Sequence, residues 1–280
     1  MSLVFLKLGG SLITDKTTPR ALRRETLDRL VREIAEARAA RPELKLLLGH
    51  GSGSFGHVEA RKYGTRSGVR TDDEWRGFAE VQHVAGLLNR LVVDAAREAG
   101  LPLVNLPPSA SVVCRDGVVQ SFALEPVRAA LDHNLIPLVF GDVALDAVRG
   151  GTIVSTEDVF RYLAVHLRPP RMLLAGIEPG VLTRWPDGDI IPEITVGAGE
   201  WAGEWAGARF APAPTLNLDH VGGSHAADVT GGMASKVSEM RALVESMPDV
   251  TVRIFSGEAP GLVRAALLGE ASPGTLICKR

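Results

Sequence analysis

Seven short runs of Val, Leu and Ile recur along the chain, at residues 3–8, 44–48, 103–106, 136–140, 172–175, 250–255 and 275–278. Most are apolar at nearly every position. A strand with one wet face alternates polar and apolar residues, whereas a strand covered on both faces does not. Such a sheet needs helices on each side, and the intervening sequence supplies them. Leu27, Leu30, Val31 and Ile34 follow the i, i+3, i+4, i+7 rule. Thr71 and Glu74 have the spacing of a capping box ahead of a stripe of Trp75, Phe78, Val81, Ala85, Leu88, Val92 and Ala95. Met233, Val237, Met240, Val244 and Met247 form a later stripe, and Pro260 stands at the start of a last one with Leu262, Val263, Ala266 and Leu267. Strands alternating with helices predict an α/β fold around a mostly parallel sheet.

Charge and cysteine content narrow the function. The 280 residues carry 31 Lys and Arg against 33 Asp and Glu, a net charge of −2. That excludes nucleic-acid binding driven by bulk charge. Cys114 and Cys278 have no partners at metal-ligand spacing, which argues against a disulfide framework or a zinc site. The start reads as a strand rather than a leader, having no basic residues before its apolar run. No stretch approaches the ~18 uninterrupted apolar residues of a membrane span. A cytoplasmic protein without membrane or nucleic-acid partners is the expectation. Residues 183–223 break the pattern with Gly, Pro, Trp and a tandem GEWAGEWA, and read as hairpins and a mobile loop, either a lid or a surface insertion. A boundary near Arg168-Pro169-Pro170 divides the chain into lobes 1–168 and 169–280.

Three glycine-rich loops fall at strand-to-helix junctions. The first is Lys7-Leu8-Gly9-Gly10-Ser11, with Lys16 one loop further on. Consecutive glycines let backbone N–H groups close on an anion. The second, Gly49 to His57, reads GHGSGSFGH. It contains a formal GxGxxG, but it follows the second strand rather than the first, and a polar His57 stands where helix packing begins. A phosphate cradle fits better, with His57 as a donor. The third, Asp228 to Lys236, reads DVTGGMASK, in which Thr230 can cap a helix whose free N–H groups and Lys236 meet an anion. Each loop alone has a plain alternative as a turn or a capped helix with solvated lysines. No GxxxxGK[ST], HExxH or nucleophile elbow occurs. Lysines on three separate glycine loops supply the positive charge that phosphoryl transfer needs around the moving group.

The runs KLGGSLITDK (7–16), GHGSGSFGH (49–57), PLVFGD (137–142) and DVTGGMASK (228–236) resemble, in that order, the signatures of the amino acid kinase superfamily, and within it the isopentenyl phosphate kinase branch. The histidine closing the second run marks that branch. The resemblance implies an open αβα sandwich, with the phosphoacceptor in the first lobe and ATP in the second. It implies a homodimer, and Mg²⁺ accompanying the nucleotide. On matching positions, Lys7, Gly9, Gly10, Gly232 and Lys236 line the ATP phosphates. Lys16 reaches the transferring group, Ser52 and Gly53 offer backbone donors, and His57 binds the acceptor phosphate. Gly141 borders the substrate, Asp228 orders the last loop, and no residue is assigned as a direct metal ligand. Where the superfamily often has a TDVDG-like run, this chain has Ala175-Gly176-Ile177-Glu178-Pro179-Gly180, which keeps Gly180 and offers Glu178 as a substitute acid. The stripe Trp75, Phe78, Val81, Val84 and Leu88 is the expected wall for an isoprenoid tail, with plain core as its alternative. The neighbouring readings are a fosfomycin kinase-like enzyme and a non-catalytic storage protein of the same fold.

Overall fold

The computed structural model describes residues 3–197 and 232–279. Eight strands form one sheet in the order β10 (Glu193–Val196), β12 (Thr275–Lys279), β11 (Thr251–Ser256), β9 (Arg171–Gly176), β1 (Leu3–Leu8), β2 (Lys45–His50), β6 (Ile136–Phe140) and β3 (Leu103–Asn105). Every neighbouring pair is parallel except β11 with β12. All seven apolar runs are strands of this sheet. The eighth strand, β10, comes from the segment expected as hairpins and loop. A Leu182–Ile190 bridge does close a short hairpin there, but the chain then pairs in parallel with β12. The GEWAGEWA repeat lies outside the described residues.

Period-two alternation sorts the strand side chains onto two faces. From β1, Val4, Leu6 and Leu8 enter a core built with α2 (Arg24–Ala40), α4 (Asp72–Glu98) and α8 (Leu262–Leu268). Phe5 points the other way, into a core built with α5 (Leu124–Asp132), α6 (Thr156–Leu167) and α7 (Gly232–Ser246), where it meets Phe160 edge-on at 5.2 Å. Helices therefore cover both faces, and the expected αβα sandwich is the observed one. Lys7 shares the face of Phe5, which turns it toward α6 and α7 rather than α2. The Thr71 and Glu74 capping box starts α4 as expected, and a second, from Ser155 and Asp158, starts α6.

A separate four-stranded sheet, in the order β5 (Val118–Ser121), β4 (Val113–Arg115), β7 (Asp142–Asp146), β8 (Gly150–Val154), was not expected. Its strands are short, β4 and β5 partly exposed and β7 and β8 mostly buried. The β4–β5 hairpin turns through Asp116 and Gly117, both at positive φ (51° and 79°), the geometry that Asp-Gly favours. The Asp146 carboxylate gathers the turns by accepting the N–H groups of Asp116, Gly117, Val148 and Arg149 at 2.7–3.0 Å. Arg168, left-handed at φ 48°, ends α6 and leads into β9. Because β1 pairs with β2 on one side and β9 on the other, the stretches 1–168 and 169–280 meet along β1.

Candidate active site

In parallel α/β sheets, strand carboxyl ends open onto loops, and ligands collect where connections diverge to opposite sides. Here that point lies between β1 and β9. A cleft of about 370 Å³ opens over it. The first glycine loop contributes Lys7, Gly9, Gly10 and Lys16 to its lining, and the second contributes Ser52 and Gly53. Gly141 lines it from the end of β6, Gly180 from the loop after β9, and Gly232 and Lys236 from the start of α7. Residues from five separate stretches of the chain thus face one space. The backbone of His57 is the fifth residue of helix α3 (Gly53–Tyr63). Its side chain, and all of Asp228 and Thr230, lie outside the described residues.

The first two loops need glycine because their backbones touch. A Cβ on Gly10 would overlap Gly53 N and stand 2.6 Å from Gly53 Cα. Gly53 sits at φ +50°, and a Cβ there would overlap the Thr14 hydroxyl, which accepts the Ser54 N–H at 3.0 Å. Two strand ends are thereby clamped together with small backbone turns facing the cleft. Asp15 shapes the far side of the first loop by accepting Thr17 N–H and Oγ1–H at 2.8 and 2.7 Å, which bends the chain around Lys16.

Glu157 joins the lysines. It stands in the first turn of α6 and lines the cleft. Its Oε1 is 3.0 Å from Lys7 Nζ and 4.0 Å from Lys236 Nζ. Burial alone pushes this carboxyl up, but the two ammonium groups outweigh it and hold the acid below its usual range. One carboxylate therefore fixes two cations from opposite ends of the chain beside each other. Lys16 makes no salt bridge to a described residue and lines the cleft. Behind them, Glu239 of α7 accepts a hydrogen bond from Ser235 at 3.2 Å and lies 3.8 Å from Arg161. Burial, then the charges of Asp158 and Glu157, push the Glu239 carboxyl up to about 7.

Sequence reasoning missed Glu157, because an acid in a first helical turn reads as a partner of the helix dipole. The Ser155 and Asp158 capping box after an apolar strand was the available signal. The expected tail wall needs correction. Val84 and Leu88 are completely buried core, and Val81 is nearly so. Phe78 packs behind Ile153 in a small cluster with Val81, Ala60 and Val143. The apolar groups that reach the cleft from this side are Ile153 and Val58, the latter half-exposed.

The chain matches the amino acid kinase family over residues 2–256. It is 32% identical to an isopentenyl phosphate kinase of Methanothermobacter thermautotrophicus, over 98% of both chains. It is 37% identical to an isopentenyl phosphate kinase of Haloferax volcanii, over 94% of this chain and 98% of the other. A solved structure of an isopentenyl phosphate kinase superposes with a TM-score of 0.79 at 30% identity, covering 98% of this chain and 99% of that one.

Proposed function

The chain belongs to the amino acid kinase family, and from that premise we propose that it transfers the γ-phosphoryl group of ATP to isopentenyl phosphate, releasing ADP and isopentenyl diphosphate. The observation that carries this reading is the single cleft lined by Lys7, Lys16, Lys236 and the glycine loops.

An oxygen of the acceptor phosphate attacks the γ-phosphorus, and the bond from that phosphorus to the β–γ bridging oxygen breaks. A phosphate monoester is already ionised near neutral pH, so no strong general base is needed. The protein's part is positioning and charge. Lys7 and Lys236, held by Glu157, receive the ATP phosphates together with the N–H groups of Gly9, Gly10 and Gly232, while Gly180 borders the nucleotide. Lys16 follows the moving group. Ser52, Gly53 and His57 hold the acceptor phosphate beside Gly141, and the apolar tail lies toward Ile153 and Val58. The acceptor then belongs to lobe 1–168 and the nucleotide to lobe 169–280, with β1 between them.

Mg²⁺ fits as a companion of the nucleotide, since it binds through substrate phosphates and one or two carboxylates. The cleft's acids suit that mode. Glu178 also lines the cleft, and with ATP oxygens it would hold the ion, which would neutralise phosphate charge. A cytoplasmic homodimer completes the proposal, supported by the family resemblance and the composition; among the described residues no helix is long and apolar enough to cross a membrane.

An ADP-release assay across isopentenyl phosphate, dimethylallyl phosphate, fosfomycin, glutamate and UMP tests the reading. Turnover with isopentenyl phosphate is expected to exceed that with fosfomycin, glutamate and UMP. A preference for any of those three would overturn the assignment.

A further inference from the structure

His50 ends β2 with no exposed surface, immediately before the acceptor loop. Its ring stacks on Phe140 of β6 at 5.3 Å and 3° between planes. Nδ1 lies 3.1 Å from the Gly51 carbonyl oxygen, and Nε2 lies 3.2 Å from Asn89 Oδ1 on α4. The His50 carbonyl accepts Thr156 Oγ1–H at 2.6 Å and Gly141 N–H at 3.2 Å. The residue is thus tied to α4, β6 and α6 at once, far more than a filler of core space requires.

Burial, aided by the nearby Lys7 charge, holds the ring below the usual histidine range, so it is neutral and carries one N–H. A backbone carbonyl can only accept. A side-chain amide can turn over and present its NH₂ instead. Both contacts are satisfied together in one arrangement of the neutral ring: Nδ1–H donates to Gly51, and Nε2 accepts from Asn89.

We propose that His50 is a positioning residue for the acceptor loop: by holding the Gly51 carbonyl toward the core, it turns the Ser52 N–H toward the acceptor phosphate. The peptide unit is planar and trans, so fixing the direction of C=O fixes the opposite direction of the following N–H. Gly51 has no side chain to hold that plane, and a Cβ there would stand 2.7 Å from Gly10 N. Ser52 N finds no acceptor among the described residues, and it lies beside Gly141 on the cleft wall, 3.7 Å from where a Cβ would stand on that glycine. The inference rests on the kinase reading above and adds a residue that touches neither substrate.

Two near-isosteres separate the ring nitrogens. His50→Asn places an amide nitrogen near the Nδ1 position; His50→Gln places one near Nε2. His50→Asn is expected to keep KM for isopentenyl phosphate within about twofold, and His50→Gln to raise it about tenfold, the loss of roughly one hydrogen bond's orientation. KM for ATP stays unchanged in both. Equal effects of the two variants, or a better-behaved Gln, would overturn the proposal. Nitrogen-15 NMR of the imidazole in the wild-type protein is independent of folding defects in either variant. A proton on Nδ1 supports the proposal and a proton on Nε2 refutes it. A wild-type protein inactive on isopentenyl phosphate would instead sink the kinase reading, and the NMR measurement would still decide the His50 contact.

Discussion

Glu239 lies nearly one turn beyond Lys236 on α7, with 23% of its side chain exposed. Its carboxyl is raised from an unfolded value of 4.5 to about 7. The folded protein therefore binds more protons than the unfolded chain between those two values, and this group's contribution to stability falls as pH rises through them. A glutamine mimics the protonated acid at every pH. Glu239→Gln should match the wild type below about pH 4.5 and exceed it above pH 7, by on the order of 2 kcal/mol. Thermal unfolding at pH 5, 6, 7 and 8 measures the difference; parallel curves for the two proteins would exclude Glu239 as its source. Glu157 runs the opposite way. Its lowered carboxyl stabilises the fold above the unfolded value and loses that contribution as acid protonates it. Neither behaviour is legible in the sequence, because each depends on which charges the fold brings near. Lys7 and Lys236, which line the cleft, were legible because each lies close in sequence to a Gly-Gly pair whose backbone role is local, and Lys16 because it follows the first of those loops.

Among the elements, α8 owes its start to another helix. Its seven residues follow Gly261, a left-handed residue at φ 79°, with no cap of their own. Glu33 of α2 takes the N–H groups of Gly261, Val263 and Arg264 at 2.9, 3.0 and 3.3 Å, while Arg29 pairs with the same carboxylate at 2.6 Å. Removing one acid strands three backbone donors, that of Val263 in a buried place and the other two in part-buried ones. Glu33→Ala should cost about 2–4 kcal/mol, read as a lower midpoint in denaturant, with faster amide exchange at residues 261–264. An unchanged midpoint would refute the capping role. Elements buried on both faces were readable because burial leaves only apolar residues to choose from, as in β1, β6 and β9. The β4, β5 and β7 strands were not, since each keeps exposed positions such as Val113 and Leu145 and depends on pairing rather than composition, nor was β8, which opens on Gly150-Gly151. The Asp116-Gly117 pair was a hairpin signal that went unread.

At the scale of the whole molecule, β1 pairs with β2 on one side and β9 on the other, and the proposed function makes it a seam between an acceptor half and a nucleotide half. A ligand that binds the folded state alone stabilises it by about 2.7 kcal/mol at one hundred times its dissociation constant, enough to raise the melting temperature by about 5 °C or more. The two halves should therefore be separable by which ligand shifts the melt. Lys236→Ala removes a nucleotide-side cation without touching the second loop, so it should abolish the shift caused by ATP and keep the shift caused by isopentenyl phosphate. His57→Ala should do the reverse, leaving the ATP shift nearly intact. Both should cut turnover severely, about 100-fold or more, because removing one group aimed at transferring charge costs that much in related chemistry. Lys7 is the poorer probe for this division, since it makes the closer contact to the buried Glu157, 3.0 Å against 4.0 Å for Lys236, and its loss disturbs that carboxylate more. If either variant erased both shifts, the cleft would be a single binding unit rather than two surfaces meeting along β1, and the assignment of acceptor and nucleotide to separate lobes would fail with it.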